Sequence, residues 1–128
     1  MVMRAIALSM MSLVATAASG KDERAAHIGP GAQPCSQYAQ DVRAQGKSAR
    51  MFYYTWAQGF MSGLNTAPNV LDKPADLFGR SIDAQLSYID QYCDQHPLGG
   101  YAQAVIWLYD AMRKEQGLHD WRPTPPAY

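Results

Sequence analysis

Ser62 is the first residue to weigh for chemistry. It lies in Gly59-Phe60-Met61-Ser62-Gly63. A serine nucleophile in a glycine-flanked elbow needs a sharp strand-to-helix turn to expose its hydroxyl. This run reads G-x-x-S-G, one residue out of place, and no strand pattern precedes it. It reads instead as a helix-surface serine beside packing glycines. His27, His96 and His119 are scattered, with no i, i+4 pair and no H-E-x-x-H, so no metal site is read. His96 falls where a helix ends, near the negative end of its dipole. Asp90 and Asp94 are one turn apart, as are Asp72 and Asp76. That spacing suits acid–base work, and it equally suits a solvated helix face. The run "PLGGY" lacks the lysine of a phosphate cradle and comes after a helix rather than a strand. The reading is therefore non-enzymatic, with no catalytic, cofactor-binding or metal-binding residue assigned.

Cys35 and Cys93 carry the remaining chemistry. The chain opens with one basic residue, Arg4, and an apolar run over residues 5–14, too short to span a bilayer. Ala15-Thr16-Ala17 fits the cleavage rule of a secretory signal peptide, and Ala18-Ser19-Gly20 offers a second site. Residues 1–20 are thus expected to be removed on export to the periplasm, with no membrane span in the mature chain. In an exported chain an even cysteine pair reads as one disulfide, the alternative being a reactive thiol pair. There is no C-x-x-C. Removing Arg4 with the leader leaves ten Lys/Arg (11 − 1) against 11 Asp/Glu. The net charge near −1 carries no basic stripe for nucleic acid.

The elements that must position these residues are helical. Residues 21–34 are polar, with Gly and Pro, and read as a flexible leader. Cys35, Tyr38, Ala39 and Val42 fall on one helix face, and Gly46 breaks that helix. Ser48 is a candidate N-cap for a second helix over 49–65. Its expected core face is Trp56, Gly59, Phe60 and Gly63, together with Phe52. The two glycines read as a seam for close approach of the third helix, so Gly59→Leu is expected to wedge the bundle open. Residues 66–80 read as a loop, with a helical turn near 74–78 capped by Asp72. Ser81 opens a third helix whose stripe is Ile82, Leu86, Ile89 and Cys93, with Asp83, Asp90 and Asp94 on an adjacent wet stripe. "HPLGG" stops it. A fourth helix spans 101–116, with Tyr101, Ala104, Val105, Leu108, Ala111 and Met112 facing in and Gly117 after its end.

The expected fold is all-α, a small bundle of four main helices stapled by Cys35–Cys93. The helical domain covers 35–116, and 117–128 is a Pro-rich tail. One helix face cannot bury every ring of the run "MFYYTWAQGF". Tyr53 and Tyr54 are therefore candidates for a partner surface or a homodimer contact, with Asp83, Asp90 and Asp94 as a second candidate surface.

The order Cys35, then Trp56, Gly59, Phe60 and Gly63, then Tyr92-Cys93, His96-Pro97, Ala104 and Leu108 resembles small exported bacterial proteins of the acid-stress chaperone type, HdeA/HdeB. It is similar also to the Rap1a/Tai immunity proteins, which guard the periplasm against type VI secretion effectors. The resemblance spans about residues 35–113. It implies a single-disulfide periplasmic bundle, often dimeric, with no cofactor and a protein as its partner. That partner is an unfolding client for the chaperone type and a toxin for the immunity type.

Overall fold

A computed structural model of the chain describes residues 27–67 and 73–118. The leader 1–20, Asp72, His119 and the tail from 119 onward lie outside the described residues. The fold is all-α: α1 (Cys35–Gln45), α2 (Lys47–Thr66), α3 (Ile82–Gln95) and α4 (Tyr101–Glu115), preceded by a 3-10 turn at Gly29–Ala32. Cys35 and Cys93 form a disulfide, with their Cα atoms 4.9 Å apart.

Local chemistry sets the helix ends. Gly46 adopts φ +61° and joins α1 to α2 alone, a conformation L side chains avoid. The second helix therefore starts at Lys47, and Ser48 is inside it rather than capping it. Ser81 does cap α3, its hydroxyl accepting from the Ala84 N–H at 3.2 Å. After α4, Gly117 sits at φ +70°. Its N–H reaches the Lys114 carbonyl and that of Leu118 reaches Arg113, the paired bonds of a Schellman stop.

The helices α1 and α3 run antiparallel. Cys35 meets Cys93, Tyr38 meets Asp90 one turn on, and Val42 shares a groove with Leu86 beyond that. Helix α2 packs on α1, and α4 packs on α2 and α3. Between them lie Met61, Ile89, Val105, Leu108 and Met112, all fully buried. Each such side chain contributes about 1.5–3 kcal/mol by leaving water. The rings of Tyr38, Tyr53 and Tyr101 meet at about 5 Å between centroids in the same core.

The core face of α2 differs from the expected one. Its buried residues are Ala49, Tyr53, Tyr54, Ala57 and Met61, while Phe52 is 64% exposed. The face is turned by one residue, about 100°. The reason lies in the hydroxyls. The Tyr53 hydroxyl donates to Asp41 at 2.7 Å and that of Tyr54 to Gln85 at 3.1 Å, so both rings bury with their polar ends satisfied. Ile82, expected in the α3 stripe, is likewise 51% exposed.

Gly59 and Gly63 are exposed, and a Cβ at either would meet nothing within 4 Å. They form no seam with α3, so Gly59→Leu has no neighbouring backbone to wedge against. Gly59→Ala should instead raise stability by about 0.5–1 kcal/mol by favouring the helix. A urea midpoint unchanged or lowered by Gly59→Ala would contradict this.

Folded structure begins earlier than the expected flexible leader allows. His27 packs edge-on against Trp56 and Phe60, which stack on each other. Gly31 lies so close beneath Trp56 that a Cβ there would be 2.0 Å from the ring. The Tyr101 N–H donates to the Gln33 carbonyl at 2.9 Å, and Pro34 pairs with Gly100 in an isolated bridge. Residues 27–34 are thus part of the domain. In the loop before α3, residues 77–80 form a turn and bend, without the expected helical turn. Asn65 fixes this loop through both amide atoms, donating to the Ala75 carbonyl at 2.8 Å and accepting from the Ala75 N–H at 2.9 Å.

Candidate functional site

Three helix ends meet at the end of the bundle away from the disulfide. The end of α1 brings Val42, the turn brings Gly46, the start of α2 brings Lys47, Arg50 and Met51, and the start of α3 brings Ile82, Asp83 and Leu86. They enclose a groove of about 680 Å³, the size of many ligand pockets. Leu86 is its buried floor, Val42 and Met51 are half-buried walls, and Ile82 is an exposed lip. The Ser81 cap sets where α3 begins, and so sets Ile82 as the lip. Asp83 comes next in the first turn, where the helix dipole favours a carboxylate.

The charges are arranged wall against wall. Arg50 is paired with Asp90, which also accepts the Tyr38 hydroxyl. Burial first, and then the Asp90 carboxylate, push the Tyr38 hydroxyl well above its ordinary pKa. Lys47 on the α2 wall and Asp83 on the α3 wall have no ion-pair partner among the described residues. One turn along α1 from Tyr38, Asp41 accepts from Tyr53 and from the Gln37 amide, at 2.7 and 2.9 Å. The Tyr53 hydroxyl, then Gln37, hold the Asp41 carboxyl below its usual pKa.

Ile82 also borders a smaller hollow with Tyr54, Leu77, Phe78 and Gln85. Gln85 organises it from a fully buried position. Its oxygen accepts from Tyr54 and Gln58, and its nitrogen donates to the Leu77 and Arg80 carbonyls, all at 2.8–3.1 Å. The sequence reading missed Gln85. The available signal was a polar residue sitting on the stripe that carries Ile82, Leu86 and Ile89.

The candidate surfaces read from sequence are redistributed. Tyr53 and Tyr54 are buried and present no partner surface. Asp90 is engaged by Arg50 and Tyr38, so it is not part of a free acidic stripe. Asp83 lies at the groove, whereas Asp94 lies in the last turn of α3, about 16 Å away along the axis. Trp56 and Phe60 are half-buried beneath the N-terminal segment, while Gly59 and Gly63 on the same side of α2 are exposed. Ser62 is exposed in mid-helix. At the end of α3, His96 stacks on Tyr92 and donates from Nδ1 to the Tyr92 carbonyl at 2.9 Å, the helix-terminus role expected of it.

Among the described residues, no helix is long and apolar enough to cross a membrane. The disulfide suits an oxidising compartment. No protein-family model, curated protein or solved structure matches the chain. The groove's own composition defines its chemistry: an apolar seat rimmed by two unlike charges.

Proposed function

We propose that the chain is an exported, non-enzymatic protein-binding domain of the HdeA/HdeB-like holdase type, acting in the periplasm without a cofactor. One observation carries this reading. Away from the disulfide, the side-chain hydrogen bonds that tie α1 to α2 and to α3 run through two carboxylates, Asp41 and Asp90, beside the apolar wall of Val42, Met51 and Leu86. The leader sequence and the disulfide support export.

The pH sign comes from Asp41. A carboxyl whose folded-state pKa is lowered contributes stability that is fully present above its unfolded value, about 3.9. That stability is lost as the pH falls through the folded value. Acid therefore loosens the α1–α2 link, while Cys35–Cys93 still holds the other end. The apolar wall, which already lines the groove, then opens wider to unfolding clients. At about pH 2.5, well below the carboxylate range, severalfold molar excess should suppress light scattering by a denaturing client. At pH 7 it should not. Unsuppressed scattering in acid would refute the holdase reading.

A Rap1a/Tai-like immunity role is the second reading, favoured by Phe78. That ring is 94% exposed in the loop before α3, with Asp76 two residues before it in the chain and Asp83 five residues after it. A loop carrying an exposed aromatic beside carboxylates suits insertion into a toxin's cleft. Co-purification with the product of a neighbouring toxin gene supports it, and a chain that never binds such a product counts against it.

A further inference from the structure

We propose that the groove seats a helical segment of the partner whose apolar ridge carries an acidic residue on one flank and a basic residue on the other. This rests on the protein-binding reading above but not on its acid-holdase form. The seat is concave and apolar, formed by Val42, Met51, Ile82 and Leu86. A concave seat takes a ridge, and a helix with apolar residues at i, i+3, i+4 and i+7 supplies one. Met51 is unbranched and flexible, so it adapts to the ridge it meets. A second copy of the chain is a poor occupant. A two-fold contact would set hollow against hollow and leave a void where close packing is needed.

Charge fixes the rest of the partner's chemistry. Lys47 stands on the α2 wall and Asp83 on the α3 wall, so unlike charges flank the seat. Neither is engaged in an ion pair among the described residues. A ridge with acid facing Lys47 and base facing Asp83 meets both. A ridge with the same sign on both flanks meets one wall of like charge. The rim thus selects for mixed flanks.

The test uses the exported chain with its disulfide intact, at pH 7 and low salt, where surface charges are least screened. Three helical peptides of about 14 residues, four turns each, share one leucine ridge. Their flanks are Glu and Lys, Glu on both sides, or Lys on both sides. Amide chemical-shift mapping should place the mixed peptide at Val42, Met51, Ile82 and Leu86, with severalfold tighter binding than either uniform peptide. Ile82→Asp, at an exposed position, should weaken it at least about tenfold while the thermal melt stays unchanged. Lys47→Glu leaves both walls acidic and should move the preference to the Lys-flanked peptide. Equal binding of all three peptides, shifts that gather elsewhere, or indifference to Ile82→Asp each overturn the proposal. Client protection in acid that persists despite such a result would leave the holdase reading standing and this inference refuted. Groove binding without acid protection would do the reverse.

Discussion

Removing the Cys35–Cys93 bond should lower the stability of the domain by about 4 kcal/mol, the chain-entropy value for a loop of 58 residues. Both sulfurs are buried, so the cleanest variant is Cys35→Ala with Cys93→Ala, which leaves no hydroxyl stranded in the core. The native arrangement at that end does not depend on the bond alone. The Cys35 N–H donates to the Gly99 carbonyl at 2.7 Å, and the Ser36 N–H to Pro97 at 2.9 Å. The Tyr101 N–H donates to the Gln33 carbonyl on the other side of the junction. These bonds keep the folded geometry available, so the effect falls mainly on the unfolded chain, which gains freedom. A small domain has only about 5–15 kcal/mol in total. The variant should therefore fold, with a much lower urea midpoint and a steeper denaturant dependence as its unfolded state expands. A loss below about 1 kcal/mol would show that the unfolded chain is already restrained without the bond.

Except at the start of α2, where Ser48 lies inside the helix, the termini of the helices were legible because they depend on single residues with local jobs. Gly46 and Gly117 take positive φ, and Ser81 offers its hydroxyl to a free N–H. Apart from Ile82, which is exposed at the start of α3, the apolar stripes of α3 and α4 were legible for a similar reason, since their spacing is strict. The face of α2 was not. That helix carries two overlapping aromatic stripes, and hydropathy ranks Phe52 above Tyr53 and Tyr54. Burial was decided by partners far away in sequence, Asp41 and Gln85, which satisfy the tyrosine hydroxyls. The same blindness hid the docking of residues 27–34, because Gly31 and His27 matter only through Trp56 on another element. The groove could not be read at all. It exists because Gly46 and Ser81 start α2 and α3 at one end of the bundle, beside the end of α1. No stretch of sequence holds more than a wall of it.

Asp90→Ala should cost about 2–3 kcal/mol, mostly through Tyr38 rather than through the ion pair. Asp90 and Arg50 are each about a third exposed, so water screens their attraction and it contributes no more than about 1 kcal/mol. Tyr38 is different. Its ring is buried, and its hydroxyl donates to the Asp90 carboxylate from within the core. Without an acceptor that hydroxyl incurs the desolvation penalty of about 1–3 kcal/mol. Asp90→Asn separates the two effects. The amide oxygen still accepts from Tyr38, so only the screened charge pair is lost, about 1 kcal/mol or less. Tyr38→Phe removes the donor, and in that background Asp90→Ala should cost at least about 1 kcal/mol less than in the parent. Equal losses for Asp90→Asn and Asp90→Ala would overturn this division. The link also reaches the groove. Arg50 lines its wall, and its charge is balanced there by Asp90. Asp90→Asn leaves Arg50 beside Lys47 as a second uncompensated cation, so the Glu-flanked peptide should gain affinity relative to the Lys-flanked one. An unchanged ratio would mean that Arg50 does not face the bound segment.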